Sequence, residues 1–478
     1  MRNIKSYLIY TVILFGLVGN GCKIPQLTKA PEKKGIPSTF NGLKNDSTEI
    51  AKIKWRNIFT DKNLISLIDT ALKNNQELAI TLQEIEISRN EVMKRHGDLF
   101  PKVNGIGNAG VEKVGRYTSQ GAGDASADIT PGKLVPDWLP NYTVGLSLSW
   151  EVDVWKKLHN AKKAAFNRYL ASVEGKNFVL TNLIAEVANS YYELLALDNQ
   201  LNIIRQSIKI QQDGLRIVKA QKEAGVATEL GVKKFEAEVM GSQSLEYDVL
   251  QKMQEAENNL NRLLGRFPQH IARDSSGLLS LQLSQVATGV PSQLLVNRPD
   301  IRQAEFELAA SKLDVKVARA EFYPSLDISS QIGLQTFNPK YLFTLPESFL
   351  ASIAGDLVAP LINRKAIAAE YKNSNARQIQ AVYNYDKTLI SAFAEVSSQL
   401  SNVSNQQKIY EFKKQQVETL TKSIEISNDL FKSARADYLE VLLTQRDALD
   451  AQLELVETRL NQFNAVTNVY KALGGGWQ

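Results

Sequence analysis

The sequence predicts a mainly α-helical chain with transmembrane β-strands, built from a duplicated helix–strand–strand–helix unit. Three observations predict it. Segments recur at fixed spacing. At 223 residues, Asn74–Leu78 matches Asn297–Ile301 and Phe100-Pro101 matches Tyr323-Pro324. At 209, Glu186-Val187-Ala188 matches Glu395-Val396-Ser397, Ala227 matches Ala436, Val232 matches Val441 and Leu264-Gly265 matches Leu473-Gly474. Within each copy, short stretches alternate apolar with polar residues, the strand period, and longer stretches repeat apolar residues every three or four positions, the helix period. The two spacings differ by 14 residues, an insertion in the first copy, where the Gly-, Ser- and Asp-rich stretch Gly115 to Asn141 predicts a loop.

The chain of 478 residues opens like a secretory leader, with Arg2 and Lys5 before an apolar run, Tyr7 to Val18, and small Gly19 and Gly21 after it. Residues 1–21 are therefore read as a signal peptide. Their apolar run falls short of the ~20 residues a spanning helix needs, and no later run is long enough. Any insertion in a membrane must be by strands, because only helices and closed barrels satisfy the backbone in lipid. Cys22 is the only cysteine, so no intramolecular disulfide forms, and its place after the leader predicts a lipid anchor. The pattern resembles a bacterial lipoprotein box, although Gly19 stands where Leu is usual. Removing residues 1–21 lowers the formal charge from +5 to +3, too mild to imply nucleic acid. Residues 22–60 are then a lipid-anchored linker, 61–265 the first repeat, 266–290 a linker between the repeats, 291–474 the second repeat and 475–478 a tail.

Strands are predicted at about 102–113 and 142–154 in the first copy and about 325–337 and 348–358 in the second. Tyr142, Val144, Leu146, Leu148, Trp150 and Val152 share one face, opposed by Thr143, Gly145, Ser147, Ser149, Glu151 and Asp153. Leu326, Ile328, Ile332 and Leu334 oppose Asp327, Ser329, Gln331 and Gly333, with Ser330 interrupting the apolar set. Such strands suit lipid outside and water inside. Trp138, Tyr142, Trp150 and Trp155 are candidates for interfacial belts, since amphipathic rings favour the headgroup zone; core packing is the alternative, weighed equally for Trp155. Four strands cannot close a barrel when spanning barrels use at least about eight. Several copies must share one, and the sequence itself leaves dimer and trimer open.

The helical stretches sustain coiled-coil spacing. Leu201, Ile204, Ile208, Leu215 and Val218 follow it, with Gln211 in a polar slot; so do Phe393 to Phe431, and Leu439 to Tyr470. Val441, Leu455 and Val469 add a second contact line to the last helix. A helix from about Trp155 to Gln221 would be ~100 Å long, and helices of about Asp61–Gly97 and Val226–Leu264 would together reach ~115 Å, as the wall of a tube requires. Hairpins are expected to reverse near Gly225 and near Ser433-Ala434.

At this point the residues resemble the TolC-like outer membrane channels, and among them the lipidated OprM/NodT branch. The resemblance runs from Trp55 to the end. It is most specific at Asn297-Arg298-Pro299-Asp300-Ile301-Arg302-Gln303-Ala304-Glu305, Ala320-Glu321-Phe322-Tyr323-Pro324-Ser325, Ser149-Trp150-Glu151-Val152-Asp153-Val154-Trp155 and Leu473-Gly474-Gly475-Gly476-Trp477. It implies a homotrimer with a twelve-stranded barrel in the outer membrane, in contact with its lipid, and a helical tunnel in the periplasm. It also implies a periplasmic adaptor of the membrane fusion class, an inner-membrane pump of the RND type, and passive outward conduction of drugs, metals or other small solutes. No cofactor is implied. The family's gate lies where the last hairpin turns, which maps here to 436–446, with Asp437, Tyr438, Glu440, Leu443 and Arg446 as candidates beside Glu229. A threefold ring of Glu440 would repel itself and favour a cation or a basic partner. Leu443 stands where relatives often place an acid, and an apolar ring there would close by packing. Arg446 and Glu229 are candidates to brace the closed state by ion pairs. The plainer alternative for each charge is a solvated helix face, since exposed pairs contribute about 0–1 kcal/mol.

Enzymatic chemistry finds no support in the residues. Gly105-Ile-Gly-Asn-Ala-Gly110 fits the dinucleotide pattern, but it lies in a predicted strand rather than at a strand-to-helix turn. His96, His159 and His270 lack metal spacing, and no Ser/His/Asp arrangement presents itself. An outer-membrane enzyme and a coiled-coil adaptor are the readings from other classes. The duplication with paired strands disfavours the adaptor. Within export, a type I protein-secretion duct is the alternative to a small-molecule channel.

Overall fold

A computed structural model describes residues 24–40, 53–274, 278–282, 291–360, 363–433 and 435–477. The proposed anchor, Cys22, and the turn residue Ala434 lie outside the described residues. The main elements are α1 (Lys62–Asn74), α2 (Gln76–Gly97), β1 (Lys102–Glu112), β2 (Leu139–Val152), α3 (Lys157–Glu223), α4 (Glu229–Leu263), α5 (Pro299–Ala320), β3 (Ser325–Thr336), β4 (Phe349–Val358), α6 (Arg364–Lys432) and α7 (Tyr438–Ala472). The duplicated helix–strand–strand–helix order stands as expected. The chain divides into two compact units, residues 1–32, 87–169 and 306–382, and residues 33–86, 170–305 and 383–478.

The first unit is built on a four-stranded antiparallel sheet in the order β1-β2-β3-β4. Val144 pairs with Leu334, Leu146 with Ile332, Trp150 with Ile328 and Val152 with Leu326. The apolar sets of β2 and β3 therefore share one face, because side chains directly opposite point the same way. Gly145 and Gly333 pair between them, and a Cβ on either would come within 2.7 Å of the other's Cα. β2 starts and ends earlier than predicted. The Asp153 carboxylate accepts the amides of Leu158 (2.9 Å) and His159 (2.8 Å), capping α3 and turning the chain out of the sheet. Burial pushes this carboxyl up, but those amides and the His159 ring hold it below the ordinary carboxylate range. The Gly105–Gly110 stretch lies inside β1, paired along its length with β2. Among the described residues no helix is long and apolar enough to cross a membrane.

The second unit is helical. The single helix expected over 61–97 is broken at Asn75, whose side-chain oxygen accepts the Leu78 amide (3.0 Å) while its amide donates to the Leu263 carbonyl (2.9 Å). The second copy breaks at the matching place, Arg298, between a short turn at Leu294–Asn297 and α5. Each break receives a glycine from the end of the return helix. Gly265, at φ 68°, presses on the Asn74 carbonyl, and Gly474, at φ 86°, on the Asn297 carbonyl, so that a Cβ at either would strike backbone. The motifs that recur at 223 and at 209 therefore meet in space, once in each copy. Arg298 is buried there and donates to Asp300 (2.7 Å), Glu395 (2.8 Å) and the Ala472 carbonyl (2.7 Å). The second contact line of α7, Val441, Leu455 and Val469, is buried within the single chain; on the first, Leu442, Leu449, Val456, Phe463 and Tyr470 are buried, Leu453 and Leu460 half-buried and Leu439 exposed.

Candidate functional site

The expected hairpins close where sequence placed them, and the duplication lets their turns be compared residue by residue. In the first, α3 ends at Glu223 and the Val226 and Ala227 amides both donate to the Gln221 carbonyl (2.9 and 3.2 Å). Gly225 supplies the left-handed φ of 72° that this tight closure needs. The Thr228 hydroxyl then caps α4 by accepting the Gly231 amide (3.2 Å). In the second, the Arg435 amide donates to the Leu430 carbonyl (2.8 Å), and Asp437 stands at the N-cap of α7 without a side-chain capping bond. Asp437 is 209 residues after Thr228, and Tyr438 is 209 after Glu229. Two of the candidates are thus the same position in the two copies.

One apolar cluster joins the four helix ends. Val218, Val232, Phe235, Phe431, Val441 and Leu442 are buried together, with Leu215, Ile217, Ala227 and Tyr438 packed against them. The Phe235 and Phe431 rings lie 6.3 Å apart, and Gln221 donates to the Phe431 carbonyl (3.4 Å). The Tyr438 ring packs over Gly231, at a distance where a Cβ would make contact at 3.4 Å. Tyr438 therefore belongs to the cluster's rim.

The charged candidates lie around that cluster. Glu229 contacts Lys222, with Lys233 at 3.8 Å, and the hydrogen bond from Lys222 holds its carboxyl below the ordinary range. Glu236 is held down likewise by Lys233 (2.9 Å) and Lys219 (3.1 Å). Arg446 reaches Asp447 at 3.9 Å, both exposed. Within one chain, then, Glu229 and Arg446 are not paired with each other. Glu440, Leu443, Arg446 and Asp450 are all exposed, spaced by three or four along one face of α7. The chain covers the opposite face and leaves this one open.

Sequence reasoning missed a polar layer between the helices. Gln445 is 3% exposed and donates to Asn428 (3.4 Å), while its own oxygen finds no partner among the described residues. The matching positions 209 earlier are Lys219 and Glu236, an ion pair. The signal was legible: a Gln at an apolar spacing position. Gln211, the polar slot noted in α3, is also fully buried, and neither end of its amide finds a partner among the described residues.

The aromatic candidates separate. Trp155 stacks on Tyr323 (4.7 Å) and donates to the Pro324 carbonyl (2.8 Å); Trp150 donates to the Leu99 carbonyl (3.1 Å). Trp138 is largely exposed beside Lys113, 5.7 Å from its ring, and Tyr142 sits within β2. The histidines contact Lys162 and Phe100 (His96), Asp153 (His159) and Glu257 (His270). Among the described residues no group of three metal-binding side chains assembles.

The profile of the family described as "Outer membrane efflux protein" matches residues 67–266 and 290–475. The chain is 30% identical to the pyoverdine export outer membrane protein OpmQ of Pseudomonas aeruginosa, over the whole of this chain and 98% of that one. It is 28% identical to the antibiotic efflux pump outer membrane protein ArpC of Pseudomonas putida, over 99% and 96%. In three dimensions it superposes on the open-state MtrE outer membrane channel of Neisseria gonorrhoeae with a TM-score of 0.82 at 22% identity, covering 95% of this chain and 98% of that one.

Proposed function

This chain belongs to the outer membrane efflux protein family, and from that membership we propose how it works as the outer-membrane channel of a tripartite efflux system. Three copies share one twelve-stranded barrel, and their helices form a tunnel in the periplasm. An adaptor of the membrane fusion class links the tunnel to an inner-membrane pump of the RND type. Solutes then pass passively, the pump supplying the energy.

The single observation that carries this reading is the sheet. Its order leaves β1 and β4 as edges, each with a row of unpaired backbone groups, while β2 and β3 present one apolar face. Open edges are not viable in lipid, so copies of the same sheet complete each other. Residues 1–21 act as the signal peptide and Cys22 as the lipid anchor, with 22–60 as linker, 61–265 and 291–474 as the repeats, 266–290 as the equatorial linker and 475–478 as the tail. The exposed face of α7, with Glu440, Leu443 and Arg446, lines the gate, and Glu229, Asp437 and Tyr438 belong to it at the turns. Its substrates fall in the broad range of drugs, metals and small solutes, because the pump performs the selection.

Purified protein reconstituted in planar bilayers tests this reading. It should pass ionic current with no nucleotide present. Correctly inserted protein that passes none contradicts it.

A further inference from the structure

The four strands join their helices at one edge of the sheet. Lys102 opens β1 opposite Ser149, Val152 closes β2 opposite Leu326, and Ser325 opens β3 opposite Val358, the end of β4. All four strand-to-helix connections therefore leave from the same side. Charge accumulates there. Residues 94–102, 151–163, 316–325 and 358–368 hold eleven Lys and Arg against four Asp and Glu, whereas the loops at the opposite edge, 112–139 and 336–349, hold four against five. The asymmetry between the two edges is larger than the net charge of the whole chain.

Internal ion pairs use up part of this charge. Lys102 is taken by Asp98 (3.2 Å), Lys157 by Glu151 (2.5 Å), and Lys94 and Arg95 by Glu91 (3.5 and 2.8 Å). Lys156, Lys163, Lys316, Arg319 and Lys365 are exposed and have no carboxylate within ion-pair distance among the described residues. Lys156 is also the one non-glycine residue with positive φ among the described residues, 59°, at the corner between β2 and α3. Beside these cations lie exposed apolar groups, Phe100, Val103, Val154, Leu357 and Val358, and the Trp155 ring. A cationic girdle bordering an apolar one is the arrangement that meets a lipid surface, where hydrocarbon gives way to charged head groups.

We propose that this collar binds the phosphate head groups of anionic phospholipids in the leaflet next to the helices. It rests on the outer-membrane barrel reading above and adds a lipid preference to it. Each cation near an anionic surface contributes to binding within a Debye length, ~8–10 Å at moderate salt. Five unpaired cations in every copy therefore make a continuous ring once copies close a barrel. A soluble acidic partner would account for the charge but not for the apolar border.

The test uses the full chain in vesicles of phosphatidylethanolamine with a minority of phosphatidylglycerol, with one or the other lipid brominated to quench tryptophan fluorescence. Trp155 reports from within the collar, and a Trp155→Phe variant gives the background of the other tryptophans. Brominated phosphatidylglycerol should quench Trp155 several-fold more per mole than brominated phosphatidylethanolamine, and high salt should shrink the difference. Replacing Lys156, Lys163, Lys316, Arg319 and Lys365 together with Gln should abolish it. Exchanging Lys for Arg and Arg for Lys at those positions should keep it, which separates charge from folding. Equal quenching of the unaltered protein by the two lipids, or a preference that survives the Gln variant, overturns the collar alone. No quenching by either lipid overturns the barrel reading as well. If inorganic phosphate erases the preference where sodium chloride of the same ionic strength does not, the collar takes free phosphate and the lipid assignment fails.

Discussion

Leu443 illustrates how much one residue can say and where it falls silent. Its spacing from Glu440 and Arg446 put all three on one face of α7, and the structure leaves that face exposed. In the proposed assembly, that face meets other copies of the chain. The turn chemistry was readable in part: Gly225 announced its turn, whereas the pairing of Glu229 with Lys222 rather than Arg446 depended on side chains that only the folded hairpin brings together. If the face is the gate, replacing Leu443 with Ser and Arg446 with Ala removes an apolar plug and a charge. Resting conductance in planar bilayers should rise, with the fold of each chain intact because the buried residues of α7 are untouched. An unchanged conductance in a folded double variant contradicts the assignment. Cys22 carries a separate expectation. Cells given a palmitate analogue should label the protein, and Cys22→Ser should abolish the label; label retained by the variant would count against the anchor.

At the scale of elements, period and punctuation did most of the work. The four strands fall within three residues of their predicted bounds, because alternation marks them; β2 stops short of Asp153, which the sequence places on its polar face, because that carboxylate caps α3 instead. The break at Asn75 was not foreseen: its oxygen caps α2 locally at Leu78, while its amide is bonded to the Leu263 carbonyl, a partner distant in the sequence. The hairpin cluster was equally hidden: the helix spacing named Val218, Phe431, Val441 and Leu442 but not Phe235 of α4, nor that α3, α4, α6 and α7 would share one core. Phe431→Ala should cost about 3–5 kcal/mol of stability, the usual range for a large buried ring, read as a lower unfolding midpoint. Asp153 links the end of β2 to the start of α3, and its carboxyl is held below its ordinary range. A depressed folded-state value means that the stabilisation is present above the unfolded value and lost as pH falls through the folded one. Thermal scans should therefore show Asp153→Asn less stable at neutral pH, with the difference vanishing on acidification; a difference that persists in acid contradicts the capping role.

At the scale of the whole molecule, the strand count carries the argument. Two strands in each copy of a duplicated unit give four, too few to close in lipid whatever the helices do. The number of copies was not legible from the strands, because two or three would each complete a barrel, and the family resemblance selects three. The sheet agrees with the strand count: it is antiparallel throughout, with unpaired edges at β1 and β4. Native mass measurement of the detergent-extracted protein bears most directly on this claim. A closed complex of three chains is the expected result, and a stable single chain inserted in the bilayer with its sheet intact would contradict it.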